Sequence, residues 1–160
     1  MAYNIINPNS FPQLINETST TAQFQVGTRV KAFDPIFNEG EFIYLKGVAS
    51  TAIGDVVIFD QYANTTIRAV AGSRGQAAVA MSANVANQYG WYQIRGAAVV
   101  KSAAAVANAR PYLTATAGTI DDAVVAGDSI DGARYKTADG TPSAGFAILQ
   151  IDSPCLNGNG

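Results

Sequence analysis

The chain has 160 residues, 48% of them hydrophobic and 14% charged, with no histidine and one cysteine, Cys155. That length and apolar content suffice for one compact domain with its own core, and a single cysteine cannot close an intramolecular bridge. The missing histidine removes the commonest acid–base group near neutral pH, and a formal charge of −2 with scattered Lys and Arg argues against nucleic-acid binding.

No apolar run approaches the roughly 20 residues that a membrane helix needs. The first residues carry neither the basic nor the apolar region of a secretory signal, so a chain made and kept soluble in a cytoplasm, or assembled there into something larger, is expected.

Residues 1–25, MAYNIINPNSFPQLINETSTTAQFQ, carry one charge, Glu17, two prolines and many Asn, Ser, Thr and Gln residues. They show no sustained period of either helix or strand. Isolated apolar residues, among them Ile5, Ile6, Phe11, Leu14 and Phe24, are spaced along the segment like anchors. An extended arm lying on its own or a neighbour's surface is the expectation, with a reach of roughly 80 Å if fully extended.

From residue 26 to residue 160 the pattern predicts a single β domain. Short runs rich in β-branched and aromatic residues fall at 41–49, 55–60, 66–71, 76–82, 90–101, 112–116, 123–126 and 144–152. Gly, Asp and Asn punctuate them, as in Asn38-Glu39-Gly40, Gly72-Ser73-Arg74-Gly75 and Asp139-Gly140. The fold class predicted is all-β, a small barrel, β-tulip or sandwich. Alanine-rich 102–109 and the segment 82–88 are the weak helix candidates. In DVVIFD, Val56 and Ile58 face one way while Val57 and Phe59 face the other. A small barrel buries only its inner face, so this pattern calls for a covering loop, arm or second subunit.

Candidate chemistry is sparse. The acidic stretch DDAVVAGDSID, with Asp121, Asp122, Asp128 and Asp131, lacks the alternating spacing and distal Glu of a calcium loop. Gly72–Gly75 lacks the spacing of a phosphate-binding loop, and Glu39 with Glu41 reads as a solvent-facing hairpin pair. Nothing basic lies beside Cys155 to activate it. No catalytic residue, metal ligand or cofactor is predicted. The distinctive feature is the aromatic run Tyr89-Gly90-Trp91-Tyr92, which holds the one tryptophan. Tyr89, Trp91 and Tyr92 are expected in the core or at a subunit interface; full exposure would instead suit a glycan-binding surface.

Five stretches carry a family resemblance: Tyr89–Gly96 (YGWYQIRG), Ala97–Lys101 (AAVVK), Pro111–Gly118 (PYLTATAG), Ile130–Arg134 (IDGAR) and Gly145–Pro154 (GFAILQIDSP). In order and flavour the last half of the chain resembles the head decoration, or cement, proteins of tailed bacteriophages. That resemblance implies a small β-barrel or β-tulip, commonly a homotrimer, bound to the major capsid protein on the outer surface of the expanded head. There it would brace the shell against packaged DNA, after synthesis in the host bacterium. It also implies that the arm, through Ile5, Ile6, Phe11, Leu14 and Phe24, contacts the capsid. The alternative is a head-fibre base or tail-associated β-module that binds host-surface glycans. Both readings are structural rather than enzymatic, and neither involves nucleic acid or membrane.

Overall fold

The computed structural model of the chain describes residues 12–156 together with the backbone of Asn4 and Ile5. The described residues contain no helix. Their strands are β1 (Asn4–Ile5), β2 (Thr18–Ser19), β3 (Arg29–Asp34), β4 (Asn38–Lys46), β5 (Val56–Phe59) and β6 (Thr66–Arg68). The second half adds β7 (Gly75–Ala80), β8 (Tyr89–Lys101), β9 (Tyr112–Leu113), β10 (Ile120–Asp121), β11 (Ile130–Tyr135) and β12 (Phe146–Leu156). The protein is all-β.

Ten strands form one antiparallel sheet in the order β1-β3-β4-β8-β12-β7-β5-β6, with β11 on β12, β2 on β8 and a further β7–β8 pairing; β9 and β10 form a separate hairpin. The sheet curls until β4 meets β6. Lys46 bridges Thr65 in parallel, its N–H donates to the Asn64 carbonyl at 3.1 Å, and the Thr66 hydroxyl donates to the Lys46 carbonyl at 2.9 Å. Inside this small barrel lie Ile43 and Leu45 from β4, Val57 and Phe59 from β5, Ala78 and Ala80 from β7, and Tyr92 and Ile94 from β8. Large aromatic and small alanine side chains face one another, as a narrow barrel interior requires.

Strand β8 organises the whole. Its first half pairs with β4, from Tyr89 opposite Lys46 to Arg95 opposite Glu41. Its second half pairs with β12, from Arg95 opposite Asp152 to Lys101 opposite Phe146. At the change of partner the β4–β8 register shifts between Glu41 and Phe42. The buried Gln93 amide holds this bulge by donating to the carbonyls of Arg95 at 3.0 Å and Ala97 at 3.1 Å. Gly96 follows at φ +101°, where a Cβ would stand 2.7 Å from the Glu39 carbonyl oxygen, so no side chain fits there.

The outer faces of the barrel strands are buried too, and the chain covers them itself. On one side Val56 and Val79 join Val100, Ala147, Leu149 and Ile151, with Leu113, Ile120 and Ile130 packed over them. On the other, Phe42, Tyr44, Trp91 and Met81 pack with Ala32 and with Ile15 from the segment before β2. Of the covers that DVVIFD called for, the chain's own loops and the segment before β2 supply these.

The structure differs from expectation in particulars. β3 was not anticipated, because its alternation of charged and apolar residues (RVKAFD) is short and bracketed by turns. Residues 123–126 form a turn rather than a strand, and the alanine-rich 102–109 is bend and turn. Alanine there serves close packing, as at buried Ala105. Ile15 belongs to the Phe42–Trp91 cluster and Phe24 packs against it, so the segment before residue 26 lies on the domain that follows.

Candidate functional site

Residues 12–25 hold to the barrel through a small set of specific contacts. Gln13 is buried; its amide donates to the carbonyls of Glu17 at 2.8 Å and Tyr89 at 2.9 Å. Its side-chain oxygen accepts from the Tyr44 hydroxyl, and its carbonyl accepts from the Trp91 indole N–H at 3.3 Å. Tyr44 also accepts from the Gln23 N–H at 3.2 Å. Burial raises the Tyr44 pKa above its ordinary value, against the Gln23 bond, which lowers it. β2 adds main-chain pairing at Thr18 opposite Gly90 and Ser19 opposite Tyr89. The Tyr44 hydroxyl and the Trp91 indole N–H thus both have partners within the chain.

Trp91 and Tyr92 are each 0% exposed. Alternation along β8 sends them to opposite sides: Trp91 joins the layer under residues 12–25, and Tyr92 points into the barrel. Phe24 meets Trp91 edge-on at 5.0 Å and Tyr44 at 5.3 Å. Half-buried Tyr89 stacks on Tyr44 at 6.3 Å. The aromatic run is thus a core layer within one chain rather than an exposed glycan platform. Burial pushes the Tyr92 hydroxyl up to about 12, although bonds from Thr66 and Asn84 pull the other way.

The expected arm contacts divide accordingly. Phe24 is half-buried and packs against Tyr44 and Trp91. Leu14 is 54% exposed. Ile5 lies in β1, paired opposite Ala32 of β3, with Asn4 opposite Phe33. Ile6 and Phe11 lie outside the described residues. Sequence reasoning missed Gln13, whose buried amide ties the segment down; a lone polar residue amid Pro12 and Leu14 gives no signal for that.

Two shallow clefts lie among the described residues. One, of about 350 Å³, runs between β11 and β12 past Arg110, Asp131, Arg134, Gln150 and Asp152. Arg110 pairs with Asp131 at 4.0 Å across it, Arg134 donates to the Asn108 carbonyl at 2.8 Å, and Asp152 pairs with Arg95 beside it at 3.5 Å. The other, of about 280 Å³, lies over Ile58, Ile67 and Arg74. The acidic stretch is structural: Asp128 is buried, accepts from the Gly72 N–H at 2.7 Å and pairs with Arg74 at 3.6 Å. It thereby joins the two loops that sequence had treated separately. Asp121 caps the Ala123 N–H at 3.1 Å. No group of three or more His, Cys, Asp or Glu side chains among the described residues is arranged to hold a metal ion.

A third polar feature is the fully buried Asp55. Its carboxylate pairs with Arg68 and Lys101, each at 2.7 Å, and accepts from the Ala52 N–H at 2.9 Å. Arg68 reaches on to the Ala117 carbonyl at 2.7 Å. A Cβ on Gly118 would stand 2.5 Å from the Asp55 carboxyl carbon, so the loop closes over the carboxylate only with glycine there. The group fastens four segments and opens into neither cleft described above.

What this surface offers chemically is recognition through shape and main-chain groups. No protein-family model matches the chain, and no curated protein matches it.

Proposed function

We propose that the protein is a structural, non-enzymatic virion component that binds the outer surface of the expanded head of a tailed bacteriophage as a trimer and stabilises it. The observation carrying this reading is that the charged and aromatic groups distinctive in the sequence serve the fold, which leaves a rigid β-barrel with a neutral N-terminal segment at one sheet edge. A cement protein needs extended complementary surface rather than a reactive centre, and trimerisation multiplies weak contacts through avidity. The resemblance of the last half of the chain to head decoration proteins supports the same conclusion. The buried Trp91 and Tyr92 remove the feature that would have favoured glycan binding.

The test is protection. Heads assembled without this protein are exposed to heat or osmotic shock, with and without the purified chain. The reading predicts that added protein preserves packaged DNA in a saturable manner; unchanged DNA loss at saturating protein would contradict it.

A further inference from the structure

The Tyr92 side chain lies inside the barrel, and its hydroxyl belongs to a buried polar network. The Asn84 amide N–H donates to that hydroxyl at 3.0 Å. Tyr92 is also hydrogen-bonded to the Thr66 side chain, and the Thr66 hydroxyl donates to the Lys46 carbonyl at 2.9 Å. Because the Thr66 proton is committed to Lys46, the bonds run one way, from Asn84 through Tyr92 and Thr66 to β4. Two atoms at the start of this network are left over. The Asn84 side-chain oxygen and the Ser82 hydroxyl, on residues 1% and 3% exposed, have no hydrogen-bond partner among the described residues. Buried polar atoms without a partner are rare in folded proteins, and ordered water is the usual partner where protein supplies none.

Two glycines frame the pair. Neither Gly47 nor Gly90 has the positive φ that favours glycine, so space rather than backbone conformation calls for it. A Cβ on Gly47 would stand 2.6 Å from the Asn84 side-chain oxygen. One on Gly90 would stand 3.0 Å from both the Asn84 amide nitrogen and the Ser82 hydroxyl oxygen. The two side chains therefore converge on bare backbone at Gly90.

We propose that Ser82 and Asn84 form a binding site for one internal water molecule, which bridges the two side chains and completes the network behind Tyr92. Three features select the ligand. The atoms to be matched are a hydroxyl and an amide oxygen, and water both donates and accepts, so one molecule serves both. Neither side chain carries charge, so a neutral ligand suits them where a cation does not. Both residues are buried and the approach to Gly90 is already close, so the ligand is small. The water ties the segment between β7 and β8 to the seam where β4 meets β6, through Tyr92 and Thr66. The site is a property of the barrel and holds whatever the barrel binds.

The test is a crystal structure of the full chain sharp enough to show ordered water, with magnetic relaxation dispersion of water oxygen as the solution readout. A density peak at roughly 2.7–3.2 Å from both Ser82 Oγ and Asn84 Oδ1 is expected. The double variant Ser82→Ala/Asn84→Leu keeps the shape of both side chains without their polar atoms. It should lower the dispersion amplitude by the equivalent of one long-lived water, with Trp91 emission reporting that it is folded. If it does not fold, the crystal structure of the parent chain decides alone. Both atoms paired with protein groups and no peak between them overturns the site. So does a peak whose oxygen contacts of about 2.4 Å mark a metal ion, or an unchanged dispersion amplitude in the folded variant.

Discussion

Asp55 is the residue on which most of the local structure converges. Removing a carboxylate from between two cations strands Arg68 and Lys101, both only about a quarter exposed, with no counter-charge. Breaking a buried pair from one side typically costs about 3–5 kcal/mol; the partial exposure of both cations puts Asp55→Ala toward the lower end, near 3 kcal/mol. Denaturant unfolding checks it: a loss under 1 kcal/mol would mean the triad is incidental. Tyr92 gives the pH dependence. Its folded pKa, about 12, lies above the ordinary tyrosine value of 10.0, so the unfolded chain loses that proton first as pH rises. Its contribution is fully present below pH 10 and is lost between pH 10 and about 12. Tyr44 and Tyr135 are raised in the same direction by burial and add to the decline. Melting temperature followed across that window should fall steeply in the parent protein and less so in Tyr92→Phe; parallel curves would contradict the assignment.

At the scale of elements, the segment 12–25 lies on its own chain's surface and forms part of the barrel's covering. Deleting residues 1–25 uncovers Trp91, Phe42 and Tyr44 and removes the Gln13 bonds; deleting residues 1–11 leaves them in place. Because Trp91 is the one tryptophan, its emission reports the difference directly. The longer deletion should shift emission to the red and lower the melting temperature by many degrees, whereas the shorter one should leave emission unchanged. The bulge in β8 makes a second element-level prediction. Gly96→Ala forces a side chain into a glycine-only conformation against the Glu39 carbonyl and should cost on the order of 1–3 kcal/mol. Short apolar runs bounded by turn residues made β4, β5, β7 and β8 legible in the sequence, because both faces of those strands are apolar over several residues. The covering elements were not legible. Ile15 and Phe24 look like isolated anchors until the aromatic layer beneath them is seen. β3 pairs its charges with those of β4, Lys31 with Glu39 at 3.1 Å and Arg29 with Glu41 at 3.9 Å, which hides a strand behind a polar face.

For the whole molecule, the physical theme is a barrel buried on both sides by its own chain. Trp91 and Tyr92 were placed in core or interface by the sequence, and alternation along β8 put them in two different layers of one chain. Of the covers that the two-faced strands called for, residues 12–25 and the β9–β12 region supply these. What the chain still presents outward is the β3 edge, the exposed Leu14, Phe33 and Ile36, and two shallow clefts whose charges are largely paired. No helix among the described residues is long and apolar enough to cross a membrane.

The most direct test of the proposed decoration role is co-sedimentation of the purified chain with expanded tailed-phage heads, alongside unexpanded precursor shells. Saturable binding to expanded heads, in a fixed ratio to the capsid protein and absent from precursor shells, is the result predicted. Binding to neither particle at saturating protein would contradict a decoration role.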